Sequence, residues 1–278
     1  MAERSAFQLA MVQMRVEGGQ RERNLERAGR CIEEAAKHGA RVIVLPEAMD
    51  LGWTHPSAKE GAQGIPEGQT CAMLREAAKR HGVYVCSGLT EKAAENVYNS
   101  AVLIDPKGAV ILHHRKLNEL EIGHEYYAQG DRLGVVKTEF GTIGVMICAD
   151  AFVRGQVVSR TLGLMGAEVI LSPSAWAVEA EHDQQKQPYG TLWLDNYGPV
   201  ARDFRMWIAG VSNVGRLVAG PWKGRKCIGC SLLVGPEGQQ VVMGPYGEEA
   251  ETILYAEIMP EQRTVRGCGW ERVWTERE

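Results

Sequence analysis

Three reactive side chains follow short apolar segments, and this pattern limits what the chain can fold into. Glu47, Lys116 and Cys148 each come just after such a segment, as in the run Val-Met-Ile before Cys148. Short apolar runs are typical of buried β-strands, and the residues that follow a strand lie at the rim of its sheet. Open α/β folds place their chemistry at this rim. The sequence therefore predicts a carboxylate, an ammonium group and a thiol at one sheet edge, which indicates covalent catalysis.

The rest of the chain alternates between predicted strands and helices. Apolar residues recur at helical spacing from Leu25 to Ala35, from Leu74 to His81 and from Val157 to Met165. Residues 190–205 also have a helical pattern, but we expect Pro199 to break or kink this helix. The predicted strands cover 7–13, 41–45, 83–89, 97–104, 109–113, 143–147, 168–172, 206–212, 230–234, 240–243 and 252–258. This order predicts an α/β protein with helices on the sheet faces, and it leaves open whether there is one sheet or two.

Composition restricts the domain organisation and the partners. The chain has 278 residues, of which 45% are hydrophobic, and no linker-like tract divides it. We therefore predict a single domain over 1–278, with 260–278 as a C-terminal tail involved in assembly. The net charge of −4 provides no basic surface for nucleic acid or an anionic membrane, so we expect a small-molecule partner. Seven cysteines, an odd number, mostly lie in apolar runs, which favours free thiols and a cytoplasmic location.

The three reactive residues have complementary chemistry. A cysteine thiol is mostly protonated at neutral pH, so a nucleophilic role requires a nearby base or positive charge. Glu47 is suited to accept the thiol proton, and Lys116 is suited to stabilise an oxyanion. Each residue also has an ordinary alternative, namely a buried core cysteine, a turn-capping glutamate and a solvated lysine. Their combination indicates an enzyme, because a binding site does not need all three groups.

The chain resembles the nitrilase superfamily, also called carbon–nitrogen hydrolases, over nearly its whole length. Five segments carry this resemblance in order: Leu45-Pro46-Glu47, Arg115-Lys116-Leu117, 141–150, 166–174 and 229–238. The resemblance implies a four-layer α-β-β-α sandwich in which Glu47 is the general base, Lys116 stabilises the oxyanion and Cys148 is the nucleophile. Members of this superfamily hydrolyse an amide, carbamoyl or nitrile group through a thioester acyl-enzyme. They release ammonia or an amine, and the resemblance implies no metal and no cofactor.

The same resemblance suggests a second glutamate between the lysine and the cysteine, which orients the lysine. Glu119, Glu121 and Glu125 are the candidates. We prefer Glu125, because residues 125–131 best resemble the acidic-aromatic-glycine segment of the superfamily. A position on a solvated face is the alternative for the other two.

Two tryptophans are candidate substrate-binding residues. Trp53 and Trp176 lie in loops that the resemblance places near Cys148, where aromatic side chains form the apolar wall of a small pocket. Ordinary core packing is the alternative for both.

Three departures from the superfamily narrow the substrate. Ala149-Asp150 replaces the Trp-Glu pair of the nitrile-cleaving branch, which argues against a nitrile. The first arginine after the nucleophile is Arg154, too late to form the carboxylate clamp of the carbamoyl-amino-acid branch. Relatives have an acidic-Asn pair before strand 206–212, whereas this chain reads Ala201-Arg202-Asp203-Phe204-Arg205-Met206, so no role is assigned to these positions. We therefore predict amidase-type hydrolysis of a small linear amide, with an N-carbamoyl amine or amino acid, a nitrile and a non-catalytic metabolite-binding role as successive alternatives.

Other motifs in the sequence have simpler explanations than a catalytic or metal-binding role. Cys227 and Cys230 have the spacing of a zinc or redox motif but lack a second ligand pair, so two thiols beside a strand are expected. His113 and His114 are candidates for a Cys-His dyad, and we favour an edge or inter-sheet role for them. Relatives pair through helices, which predicts a homodimer or larger homo-oligomer formed by the helix 157–165 and by the tail residues Trp270, Val273 and Trp274.

Overall fold

The computed structural model describes residues 5–262, and within this range it contains fifteen strands and five α-helices. The strands are β1 Phe7–Gln13, β2 Val42–Val44, β3 Tyr84–Ala93, β4 Asn96–Ile104, β5 Val110–Arg115, β6 Val135–Thr138, β7 Gly141–Val145, β8 Val169–Ser174, β9 Ala177–Val178, β10 Trp207–Ser212, β11 Val214–Arg216, β12 Lys226–Ile228, β13 Leu232–Val234, β14 Gln240–Met243 and β15 Thr252–Ile258. The helices are α1 Arg21–Lys37, α2 Ala58–Gly61, α3 Gln69–His81, α4 Val157–Leu164 and α5 Tyr189–Phe204.

Two six-stranded sheets form the centre of the molecule, which answers the question that the sequence pattern left open. The first has the order β15-β1-β2-β3-β4-β5, and the second has the order β14-β13-β10-β8-β7-β6. A smaller sheet joins β11, β12 and β9. The central strands of both large sheets are parallel, namely β1 with β2 and β3 in the first and β7, β8 and β10 in the second. Their carboxyl ends therefore lie together at one edge of each sheet.

Alternating side chains on β1 show how the layers stack. Leu9 and Met11 belong to a core shared with the second sheet and with α4 and α5. Ala10 and Val12 point the other way, into a core shared with α1 and α3. Successive residues of a strand face opposite sides, so a strand covered on both faces is apolar throughout. The result is the predicted α-β-β-α sandwich.

The predicted elements agree with the structure apart from their ends and one helix. Gly82 has φ 65° and ends α3 in the left-handed conformation that glycine adopts readily. Pro199 lies inside α5, which continues to Phe204, so the expected break is wrong, and the alternative of a kink stays a prediction. The helix packs Trp193 and Tyr197 into the core on one face. This burial outweighs the loss of one backbone hydrogen bond at the proline.

The residues predicted to form an assembly interface lie on the surface of α4 or outside the described residues. Val157 and Leu164 of α4 are exposed, and the homo-oligomer stays a prediction. The assembly residues Trp270, Val273 and Trp274 lie outside residues 5–262. Within that range, no helix is both long enough and apolar enough to cross a bilayer.

Candidate active site

Glu47 lies where the rims of the two large sheets meet. It follows β2 by three residues, and its backbone N–H donates to the Ser174 carbonyl at the end of β8, 3.2 Å away. Gly88 of β3 packs directly against this segment, and a Cβ at that position would lie 2.5 Å from the Glu47 Cα. Only glycine permits so close an approach of two backbones. The next residue, Ala48, has φ 43°, so the carboxylate stands on a sharp turn.

Cys148 also stands on a sharp turn, three residues beyond β7. It begins a short 3-10 helix over Cys148–Phe152 and has φ 44°, a left-handed conformation that is unfavourable for a residue with a side chain. The Asp150 N–H donates to the Ile147 carbonyl at 2.9 Å, and Asp150 Oδ2 accepts from the Ile147 N–H at 2.9 Å. These two bonds hold the turn. Cys148 is buried, with 9% of its surface exposed.

Lys116 reaches the site from the end of β5. Its Nζ donates to Glu47 Oε1 at 2.7 Å and to Glu119 Oε1 at 2.9 Å. The lysine side chain is 2% exposed, so both ion pairs are shielded from water. The structure therefore brings the predicted base and the predicted cation into direct contact.

Glu119, rather than Glu125, is the second carboxylate at Lys116. Glu119 is buried, whereas the Glu125 side chain is 70% exposed and forms a surface ion pair with Lys59. The preference for Glu125 is corrected on this point. A short 3-10 helix over Glu121–Gly123 carries the chain away from the site after Glu119, so only the first of the three candidate glutamates faces inward. The sequence contained all three candidates, but no pattern that indicated this local turn.

Asn99 is a site residue that the sequence analysis missed. Its Nδ2 donates to Glu47 Oε1 at 2.7 Å and to Glu119 Oε2 at 2.9 Å, and it thereby joins the two carboxylates. Its backbone carbonyl also accepts from the Lys116 N–H at 2.9 Å. A polar asparagine near the middle of the predicted strand 97–104 was the available signal, because a buried amide requires hydrogen-bond partners.

The electrostatics follow from burial and from the mutual effects of these charges. Burial raises the pKa of Glu47 and Glu119 raises it further, while Lys116 and the Asn99 hydrogen bond act in the opposite direction. Burial by itself would lower the pKa of Lys116, but the two carboxylates raise it well above its usual value, so the ammonium form persists. Burial and the Glu47 charge raise the pKa of Cys148 well above its usual value, against the opposing effect of Lys116. The resting site therefore holds a thiol beside a carboxylate of increased basicity.

The unpartnered atoms of the site indicate where a proton can move. Among the described residues, Glu47 Oε2 and Asn99 Oδ1 are buried and have no hydrogen-bond partner. Oε1 of Glu47 is occupied by Lys116 and Asn99, so Oε2 is the oxygen available to a proton donor. A buried acceptor without a partner is costly unless a reactant satisfies it.

The two candidate pocket tryptophans have different surroundings. Trp53 Nε1 donates to Glu119 Oε1 at 3.2 Å, and Lys116 Nζ lies 5.5 Å from the Trp53 ring centroid. Trp176 is fully buried and stacks on Trp193 with 4.3 Å between ring centroids. Trp53 therefore contacts the charged cluster, whereas Trp176 packs against another aromatic ring, and a substrate-binding role for either residue stays a prediction.

The cysteine pair and the histidine pair singled out in the sequence have contacts that do not require a catalytic role. Cys227 and Cys230 are buried, and burial raises the pKa of Cys227 to about 12. His113 Nε2 lies 2.9 Å from Glu91 Oε2, and His114 Nε2 lies 2.8 Å from Asp150 Oδ2. His113 thus pairs with a carboxylate on its own sheet, and His114 pairs with one that follows a strand of the other sheet. These contacts are consistent with the edge and inter-sheet roles favoured for the two histidines.

Comparison with known proteins identifies the family. The sequence model of the family described as carbon-nitrogen hydrolase matches residues 8–265. The chain belongs to the carbon–nitrogen hydrolase family. This carbon–nitrogen hydrolase is 34% identical over 256 residues to a protein named nitrilase from Pyrococcus abyssi, covering 89% of this chain and 90% of that protein. It is 28% identical to omega-amidase NIT2 of Bos taurus, covering 91% of this chain and 89% of that protein.

Solved structures confirm the predicted fold of this carbon–nitrogen hydrolase. The crystal structure of a carbon-nitrogen hydrolase from Helicobacter pylori G27 superimposes with a TM-score of 0.79 at 24% identity, covering 91% of this chain and 88% of that chain. Nit3 of Saccharomyces cerevisiae, described as a member of branch 10 of the nitrilase superfamily, superimposes with a TM-score of 0.77 at 23% identity. It covers 92% of this chain and 90% of that one. The match to the family model and the 34% identity to the Pyrococcus abyssi protein confirm the resemblance to the nitrilase superfamily.

Proposed function

We propose that this carbon–nitrogen hydrolase cleaves small linear amides with Cys148 as nucleophile, Glu47 as general base and Lys116 as the oxyanion-stabilising cation. The observation that carries the proposal is that the two carboxylate oxygens of Glu47 have different surroundings. One carboxylate oxygen is held by Lys116 and Asn99, and the other has no partner among the described residues. A base oriented in this way presents a free lone pair while its position stays constant.

The reaction follows from these groups. Glu47 Oε2 takes the Cys148 proton as sulfur attacks the amide carbon, and the developing oxyanion is stabilised by the positive field of Lys116. Glu47 then returns this proton to the leaving nitrogen, which departs as ammonia or an amine and leaves a thioester on Cys148. A water molecule attacks the thioester while Glu47 takes its proton, and the thiol is regenerated as the acid is released. Because the pKa of Cys148 is raised, proton removal has to accompany attack and does not precede it.

A nitrile is a further candidate substrate, favoured by one relative. The relative from Pyrococcus abyssi that is 34% identical carries the name nitrilase. Ala149 and Asp150 stand where the nitrile-cleaving branch has Trp-Glu, which favours the amide. Omega-amidase NIT2 proteins among the relatives support the same choice.

Ammonia release and covalent labelling test the proposal together. The purified protein is incubated with linear amides, N-carbamoyl amines and nitriles, ammonia is quantified, and intact mass and peptide mapping locate any acyl adduct. We expect an adduct on Cys148 and fastest turnover with an amide. Cys148→Ala should release no ammonia, whereas Cys31→Ala, which alters a half-buried thiol on α1, should retain full activity.

The outcomes separate the alternatives. An adduct on another cysteine, or unchanged turnover by Cys148→Ala, would reject the assigned nucleophile. Faster turnover of a nitrile or a carbamoyl compound would reject the substrate class and keep the mechanism. Binding without an adduct and without ammonia would favour the non-catalytic role.

A further inference from the structure

One buried carboxylate connects the cysteine turn with the lysine segment. Asp150 Oδ2 accepts from the Ile147 N–H at 2.9 Å, on the residue before the nucleophile. Asp150 Oδ1 accepts from the N–H groups of Leu117 and Asn118 at 3.0 and 2.8 Å, on the two residues after Lys116. The Asp150 side chain thus contacts both reactive segments, although they belong to different sheets.

His114 completes this connection. Its Nε2 lies 2.8 Å from Asp150 Oδ2, and the side chains of the two residues are 1% and 0% exposed. His114 lies on β5, two residues before Lys116. Asp150 therefore accepts hydrogen bonds from residues that precede and follow Lys116 in the chain. It also accepts one from the residue just before Cys148. Asn118 Nδ2 also donates a hydrogen bond to the Ala149 carbonyl at 2.6 Å, which links the same two segments.

The chemistry of the site depends on the distance that this connection controls. Cys148 lies 32 positions after Lys116 in the chain, so no local turn relates the ammonium group to the sulfur. An oxyanion has to form within hydrogen-bond distance of its stabilising donor, and displacement by about 1 Å can reduce the rate by about 10²-fold. The left-handed turn at Cys148 also needs the Ile147 bond to Asp150 to keep its strained conformation.

We propose that Asp150 and His114 are positioning residues that hold Lys116 and Cys148 in register for acyl transfer. Neither residue reacts. The Asp150 carboxylate sets the separation of the two segments, and the His114 ring holds that carboxylate in its orientation. This inference rests on the proposed function of Cys148 and Lys116.

Two substitutions of His114 test the proposal. His114→Gln keeps an N–H donor at the position of Nε2, whereas His114→Leu removes it while keeping an apolar side chain in the cavity. His113→Leu is the matched control, because the neighbouring ring pairs with Glu91 and not with Asp150. The measurements are kcat and KM for the best amide, the rate of alkylation of each cysteine by iodoacetamide, and the thermal unfolding midpoint.

We expect His114→Leu to lower kcat by about 10- to 100-fold with KM changed by less than about threefold, as for a displaced catalytic group. His114→Gln should recover most of kcat. Alkylation of Cys148 should slow in His114→Leu, because sulfur, base and cation are no longer in register. His113→Leu should match the unsubstituted protein in both kcat and Cys148 alkylation.

A purely structural role would give another pattern. Loosening of the core would accelerate alkylation of the buried Cys86 and Cys227 together with Cys148, and loss of kcat would follow the fraction of unfolded protein. That result, or unchanged kcat in folded His114→Leu, would overturn the proposal. If His114→Leu does not fold, Asp150→Asn provides the same comparison, because it keeps the shape of the side chain and presents an N–H group to one pair of donors. If the unsubstituted protein hydrolyses no amide, carbamoyl compound or nitrile, the proposed function fails, and the Cys148 alkylation rates still decide the positioning role.

Discussion

Lys116 Nζ lies 2.7 Å from Glu47 Oε1, and neither side chain is more than 2% exposed. The same ammonium group also binds Glu119 at 2.9 Å, so one buried cation serves two buried carboxylates. Removing one charged partner from such a cluster destabilises the protein by far more than the intact cluster stabilises it, because the remaining charges stay buried without compensation. Single substitutions within this cluster are therefore expected to affect both catalysis and stability.

Lys116→Met should lose catalysis and become less stable at higher pH. We expect kcat/KM to fall by at least about 10²-fold, because the oxyanion loses its main electrostatic partner. Lys116 lowers the pKa of Glu47, so its removal raises that pKa further in the folded state. A carboxylate whose folded-state pKa is raised loses stability as pH increases through that pKa. The thermal unfolding midpoint of the variant should fall more steeply than that of the unsubstituted protein as pH increases above the ordinary carboxyl pKa of 4.5; parallel curves would contradict this.

Glu119→Gln should impair the enzyme, and Glu125→Gln should not. Glu119 accepts hydrogen bonds from Lys116, Asn99 and Trp53, whereas Glu125 pairs only with Lys59 at the surface in the described structure. We expect kcat/KM to fall by about 10- to 100-fold for Glu119→Gln, because the lysine loses one charged partner that orients it. Glu125→Gln should change stability by no more than about 0.5 kcal/mol, as for an exposed ion pair. Steady-state kinetics and urea unfolding measure both variants, and equal effects would return Glu125 to consideration.

Asn99→Asp should destabilise the site in a pH-dependent manner. The amide now donates to Glu47 and Glu119 at 2.7 and 2.9 Å, and a third carboxylate there would repel both. Protonation relieves the repulsion, so the loss of stability relative to the unsubstituted protein should diminish as pH falls. Asn96→Asp is the matched control, because Asn96 is exposed at the start of the same strand. A pH-independent loss in Asn99→Asp would show that the amide has only a packing role.

Glu91 should contribute to acid stability. Burial by itself would raise its pKa, but hydrogen bonds from Arg115, His113 and Ser100 lower it to about 2. A carboxylate with a lowered folded-state pKa stabilises the fold above its unfolded pKa, and this stabilisation is lost as pH falls through the folded value. The unsubstituted protein should therefore lose stability between about pH 4.5 and pH 2 through this group. Glu91→Gln should be less stable at neutral pH and show a shallower acid dependence in denaturant titrations; an unchanged slope would argue against this ion pair.

The sequence by itself determined the order of strands and helices, and the resemblance to the nitrilase superfamily implied the layered fold and the three candidate reactive residues. Residues of β1 alternate between two apolar cores, and the apolar runs before Glu47 and Cys148 end at left-handed turns. Such features are local, because strand periodicity and turn chemistry depend on neighbouring residues. The resemblance to the nitrilase superfamily rested on these same local segments.

Only the tertiary structure decided which side chains complete the site. Glu119 is preferred over Glu125 because a single 3-10 turn directs one inward and leaves the other in solvent. Asn99 binds Glu47 and Glu119, which lie 52 and 20 positions away in the chain, and Asp150 contacts His114, 36 positions away. No periodicity encodes contacts at that separation. Those of Asn99 arise from the strand order within the first sheet, and those of Asp150 with the segment after β5 arise where the two sheets pack together. The helix α5 continues through Pro199 for the same reason, because burial of its aromatic face outweighs a local preference.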